Sequence, residues 1–342
     1  MFKRLLSKYL LVWLVLVCVL GFYWSKVLGL DSALYAWTGR VVGNPFLLTG
    51  DQMAWLISLT MLAVGSLLPF EEIKEVAHSW PKILGGTCVQ YVAMPTLAFL
   101  AAILFKLQGG YFIGLMMAGC VPGAMASNVL TLTARGNVSY SVGLTTSATL
   151  LSPLVVPASL YLFFHGTSFS IDFQRMMINL LLTVVLPVVL GFTLSRLFSW
   201  WQKGADRIAE VVANIVIIWL IAAVVTKTGS AILKLTPAAI AGILALNFCG
   251  LLAGYFGGKL LKLTPAMRRA LTIEVGMQNA GLGTTLATLY FADVPEAALM
   301  CAAYTFECMA TGIVVAKVFR YVATREEEKQ KNLASASAGK AA

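Results

Sequence analysis

Apolar positions along the chain gather into ten runs, each close to the length of about 20 residues that a helix needs to cross a bilayer. They cover residues 9–27, 51–69, 82–105, 111–133, 138–164, 175–197, 207–226, 237–259, 268–291 and 296–319. Short polar loops separate the runs, and many of those loops carry Lys or Arg. The pattern predicts an all-α polytopic membrane protein with ten transmembrane helices.

Composition agrees with that reading. Of 342 residues, 59% are hydrophobic and only 12% charged, with a mean hydropathy of +0.84. So few charges cannot supply the polar skin of a soluble globule. Placing both termini on one side assigns most of the 25 basic residues to that side and leaves Lys26, Arg40, Lys106, Arg175, Lys227 and Lys234 on the other. By the positive-inside rule both termini are then cytoplasmic and the number of spans is even. An integral protein of the cell (inner) membrane follows.

The net charge of +10 is spread over these loops and forms no compact patch, which argues against a nucleic-acid partner. The first run is rich in bulky residues and ends without a small-residue cleavage site, so it reads as a retained helix and not as a signal peptide. The stretch "REEEKQKNLASASAGKAA" at the C-terminus predicts a disordered, solvated tail.

Enzyme chemistry finds little material here. Cys18, Cys88, Cys120, Cys249, Cys301 and Cys308 all fall in apolar runs without a CxxC pair, and behave as small hydrophobes. His78 and His165 lie far apart at loop edges, which offers neither a metal cluster nor a nucleophile with its base. Asn137 opens an Asn-Val-Ser sequon, but the predicted topology puts it in the cytoplasm. Met116, Met117 and Met125 read as core filler.

The polar segment "GTSFSIDF" at 166–173 splits the ten runs into five and five. An odd number of spans per half means that the halves start from opposite faces, the arrangement of inverted-topology repeats. Residues 1–165 form the first five-helix repeat, 174–321 the second, and 322–342 the cytoplasmic tail.

The fourth run of each half is interrupted. "GCVPGAMASNVLTLTARGN" occupies 119–137 and "EVGMQNAGLGTT" occupies 274–285. Pro122 removes a backbone donor, and a break leaves carbonyls without helical partners, which lipid does not tolerate. Helices 4 and 9 are therefore expected to break inside protein or beside a watery cavity. Freed carbonyls and neutral oxygen side chains can replace the hydration shell of a hard monovalent cation, with one carboxylate supplying the compensating charge. Glu274 and Gln278 would share a face if helical, whereas an opening at Gly276 would free the carbonyls of Val275 and Met277. Competing structural readings are a salt bridge from Glu274 to Arg269, and helix–helix hydrogen bonds from Gln90, Ser127, Asn128, Ser141 and Thr145.

At "PGAMASNVLTLTARGNVSYSVGLTT" and "EVGMQNAGLGTTLA" the chain resembles the bile acid:sodium symporter family, in particular its bacterial members, and the resemblance extends over residues 8–322. It implies a ten-helix transporter with a panel and a core domain, in which helices 4 and 9 cross where they unwind. It also implies two sodium (Na+) sites. One takes oxygens from Ser127, Asn128, Ser141, Thr145 and Glu274. The other takes Gln90, Glu274 and Gln278 with the backbone of Val275 and Met277. Substrate would sit by the crossover near Asn279, Met125 and Asn128.

Where bacterial relatives often read Pro-Gly-Gly-Thr, this chain has Ala124 and Met125, and Cys308 stands where animal members carry a histidine. The function expected is sodium-coupled symport of a small organic anion: bile-acid-like, pantothenate-precursor-like, a keto acid or a sulfonate. The alternatives are a proton-coupled or exchange transporter of the same fold, and a membrane sensor.

Overall fold

A computed structural model describes residues 10–23, 44–68, 79–165, 169, 171–228 and 235–341. The predicted loop charges Lys26, Arg40, Lys74 and Lys234, His78, and positions 166–168 and 170 of the central polar segment lie outside the described residues. Among those described the regular structure is helical: α1 (Leu10–Tyr23), α2 (Gly50–Ser66), α3 (Trp80–Leu104), α4 (Gly109–Cys120), α5 (Ala126–Thr133), α6 (Val138–Phe164), α7 (Phe173–Leu197), α8 (Ser199–Thr228), α9 (Pro237–Leu260), α10 (Pro265–Gly276), α11 (Ala280–Tyr290) and α12 (Pro295–Ala341).

Six of these, α3, α6, α7, α8, α9 and α12, are long and apolar enough to cross a membrane. The outward faces carry large apolar side chains, among them Val12, Leu16, Leu154, Leu162, Leu182, Val189, Phe248, Phe256, Val314 and Val318, all more than half exposed or nearly so. Aqueous solvent would not sustain so extensive an apolar surface, whereas acyl chains match it. The protein is an integral membrane protein.

Local chemistry sets the helix ends. Thr49 caps α2 in a reciprocal capping box with Gln52, and Thr236, Thr264 and Asp172 cap α9, α10 and α7. Lys106, Arg135 and Lys262, each just past a helix C-terminus, adopt left-handed backbone near φ 52°, and the residue after each donates its N–H back into the last turn. A cation there also meets the negative end of the helix dipole. In "ARGN", Arg135 thus stops α5, and the Asn137 side chain accepts from the Tyr140 N–H at 2.7 Å to start α6. Asn137 serves as a cap.

Three elements differ from expectation. The helix predicted from 207 begins at Ser199, because the interfacial "SWWQK" continues the turn beyond the hydrocarbon. Within α7 a π turn spans Leu181–Val185, immediately ahead of Pro187, whose missing N–H disrupts regular α pairing. The last helix runs on through the tail expected to be disordered: its Glu, Lys, Gln and Ala are good helix formers, and a helix already nucleated propagates readily.

Helices α1, α2, α7 and α8 pack on one another, and α3 to α6 pack with α9 to α12. The two groups meet where α2 and α8 touch α11, where α1 and α8 touch α12, and where α7 touches α6. The interrupted pairs α4/α5 and α10/α11 lie inside the larger group. Met116 and Met117 are fully buried there as core filler.

Candidate functional site

Cys120 ends α4, and Val121 turns extended with φ −69° and ψ 158°. Gly276 ends α10, and Met277 turns extended with φ −112° and ψ 94°. The two openings cross and pair. Asn279 N–H donates to the Pro122 carbonyl at 2.7 Å, and Ala124 N–H donates to the Met277 carbonyl at 2.8 Å, an antiparallel bridge between Gly123 and Gln278. Each break therefore supplies the partners that the other lacks, which answers how unwound backbone survives at membrane depth.

Glu274, fully buried, lies just ahead of this crossing. Three hydroxyls from two other helices donate to it. Ser127 Oγ reaches Oε2 at 2.5 Å, Ser141 Oγ reaches the same oxygen at 3.5 Å, and Thr145 Oγ1 reaches Oε1 at 2.6 Å. Thr131 Oγ1 in turn lies 3.3 Å from Ser141 Oγ. The competing salt bridge to Arg269 does not form: Arg269 faces Glu326 at 3.8 Å instead. Among the described residues no cation side chain pairs with Glu274.

A second cluster adjoins the first. Gln90 Nε2 donates to Gln278 Oε1 at 3.3 Å, and Gln278 Nε2 donates to the Val275 carbonyl at 2.9 Å. Gly123 joins the clusters, since a Cβ there would fall onto Glu274 Oε1 and come 3.4 Å from Gln90 Nε2. Glu274 and Gln278 share no helical face, because α10 stops between them. Opening at Gly276 brings them to the same site by another route.

Two acceptor oxygens of the predicted set, Gln90 Oε1 and Asn128 Oδ1, are buried with no donor. Asn128 Nδ2 makes only a weak contact to Met125 Sδ at 3.9 Å. Met277 spends one carbonyl lone pair on Ala124 and keeps a second. Asn279 is partly buried and its Oδ1 caps α11 through the Leu282 N–H at 3.1 Å. Met125, also partly buried, is the residue from which α5 starts.

Comparison with known proteins turns on residues 54–235, which match the model of the sodium bile acid symporter family. The chain belongs to this family. It is 29% identical to an uncharacterised sodium-dependent transporter of Bacillus subtilis, YocS, over 83% of this chain and 82% of that one. To a probable chloroplastic sodium/metabolite cotransporter of Arabidopsis thaliana, BASS1, it is 31% identical over 80% of this chain and 67% of the relative. The human hepatic sodium/bile acid cotransporter is 29% identical over 70% of each chain. Members of the sodium bile acid symporter family are transporters and not enzymes.

Sequence reasoning passed over three polar residues buried wholly or in part near this region. Asn247 and Tyr304 both donate to the Gly276 carbonyl, and Glu307 lies on α12 with its Oε2 buried and without a donor. Asn247 and Glu307 did carry a signal, being the carboxamide of one apolar run and a carboxylate inside another. Tyr304 carried none.

Proposed function

We propose that the protein is a sodium-coupled symporter that imports a small organic anion by alternating access. The observation that carries this is a fully buried carboxylate at a helix crossing, ringed by hydroxyls, without a cation partner, beside two buried carboxamide oxygens that lack donors. Hard oxygen donors with a single negative charge suit an alkali cation, and two oxygens without donors are what a ligand set awaiting a cation leaves behind.

Two sodium ions are bound in this reading. The first sits among Ser127, Asn128, Ser141, Thr145 and Glu274. The second sits among Gln90, Gln278, Glu274 and the carbonyls of Val275 and Met277. Together the ions neutralise Glu274 and clamp the two breaks in register. The openings also create helix N-termini at α5 and α11, whose N–H groups and positive dipole ends favour an anion near Asn279, Met125 and Asn128. Rocking of one helix group against the other moves access from side to side. An inward-negative potential contributes about 2.3 kcal/mol per charge per 100 mV.

Inverted five-helix repeats, ten spans and cytoplasmic termini in the cell membrane complete the proposal. The repeat gains support from Lys106 and Lys262, which end α3 and α9, the helices preceding each break, in the same left-handed conformation followed by Leu. Uptake into proteoliposomes at fixed pH tests the coupling. Accumulation should follow an imposed sodium gradient; transport that ignores sodium and follows a proton gradient would assign the protein to the proton-coupled class, and ligand binding without accumulation under any gradient would make it a sensor.

A further inference from the structure

The carbonyl of Gly276 is the last of α10 and has no intrahelical partner. Two donors from different helices converge on it. Asn247 Nδ2 approaches from α9 at 2.7 Å, and the Tyr304 hydroxyl approaches from α12 at 2.9 Å. Both side chains are buried, and together they fill both lone pairs of one oxygen.

We propose that Asn247 and Tyr304 are positioning residues for the cation site, holding the peptide between Gly276 and Met277 so that the carbonyls on either side of it face the bound ion. This inference rests on the sodium reading above. The peptide unit is planar, so fixing the Gly276 carbonyl also fixes the Met277 N–H, which closes the helix on Ile273 and Glu274. With that plane held, the Val275 carbonyl before it and the Met277 carbonyl after it have little freedom left. Gly276 itself has no side chain to restrain its backbone, so the restraint has to come from neighbouring helices. A side chain there would have to push Leu251 aside, because a Cβ would fall 2.5 Å from Leu251 Cδ2.

Each donor anchors the break to a separate helix. Asn247 ties it to α9, which packs along α10, and Tyr304 ties it to α12, which packs along α4, α5, α10 and α11. Movement of α9 or α12 is thereby transmitted to the ion ligands without either residue touching the ion. Truncating one donor leaves a peptide that still reaches its ligand geometry, but less of the time.

Sodium itself is the probe. The purified full-length protein is melted across a sodium chloride titration, with choline chloride holding ionic strength constant, and the half-saturating sodium concentration is obtained by fitting the rise in stability to RT ln(1 + [Na+]/Kd). Tyr304→Phe, which keeps the ring, and Asn247→Leu should each raise that concentration about fivefold, and the double variant at least about tenfold, as expected for one hydrogen bond apiece. At sodium well above half-saturation, stability should rise with the logarithm of sodium at the wild-type slope, displaced by the same factor in concentration. A lower melting point in choline with an unchanged half-saturation would mean that the pair only packs helices, and would overturn the proposal. If Asn247→Leu does not fold, Tyr304→Phe decides alone. A wild-type protein indifferent to sodium would sink the sodium reading itself, and that result is visible without any variant.

Discussion

Glu274 and Glu307 are both carboxylates set in apolar helices, and their surroundings treat them in opposite ways. Glu274 is fully enclosed and receives three hydroxyl donors from α5 and α6. Glu307 is partly exposed, and its buried Oε2 meets no donor. Withdrawing a carboxylate from water costs several kcal/mol unless other groups replace the hydration. Hydrogen bonds to a charged group recover about 1.5–3 kcal/mol each. Three hydroxyls from two helices have been spent on Glu274 and, among the described residues, none on Glu307. That contrast separates a constructed site from an acid that merely occupies a helix, and each of the following variants puts it under strain.

The largest effect is expected at Glu274, the proposed shared ligand. Glu274→Gln keeps size but turns one acceptor oxygen into an N–H donor and removes the one negative charge that would balance a cation, so sodium-dependent uptake should fall on the order of a hundredfold or more, equivalent to about 2.7 kcal/mol. Uptake and its sodium dependence in proteoliposomes measure it. Wild-type sodium affinity in this variant would show that the buried carboxylate is not a ligand.

Next comes Gly123, where the backbone of one break passes against the carboxylate of the other. A methyl group at Gly123 would overlap Glu274 Oε1, so Gly123→Ala must displace either the acid or the crossing. Half-saturating sodium should rise on the order of tenfold, the response to a misplacement that costs about 1.4 kcal/mol. An unchanged sodium titration would mean that the crossing is softer than the paired backbone implies. Smaller again, Thr145→Val and Ser127→Ala each remove one donor to Glu274, and each should raise half-saturating sodium about fivefold.

How much of this could be read from the chain alone depended on the range of the interaction. The apolar runs and the two breaks are local, written in 20-residue stretches and in Pro122, Gly123 and Gly276; among the described residues helices and helix ends lie at those places, six of the helices being long and apolar enough to cross a membrane. The oxygen donors around Glu274 were named through family resemblance, and the structure brings Ser127, Ser141 and Thr145 onto its carboxylate. What stayed hidden was long-range. Nothing near Tyr304 in the sequence reveals that its hydroxyl ends on Gly276, and nothing near Pro122 reveals that its carbonyl meets the Asn279 N–H. Such pairings belong to the packing of helices far apart in the chain. The salt bridge offered to Arg269 failed for a related reason: a near neighbour in sequence lost to Glu326, which the continued α12 carries into reach.

The smallest expected effect is the most informative about the contrast. Glu307 sits one turn beyond Tyr304 on α12, near the depth of the crossing, and a carboxylate at that depth is by default a functional candidate. If it held a cation or a substrate group, oxygen donors or a basic side chain should approach it, as they do at Glu274. Among the described residues no hydrogen bond reaches its Oε2. Glu307→Gln replaces an acid that has no dedicated solvation by a neutral group of the same shape, so half-saturating sodium should stay within about twofold of wild type, a change of about 0.4 kcal/mol. The folded protein should be no less stable, since the carboxamide costs less to bury than an unpaired charge. Loss of sodium-coupled uptake on this substitution, with folding intact, would place a second working acid in the membrane and remove the ground for treating hydroxyl donors as the mark of the site.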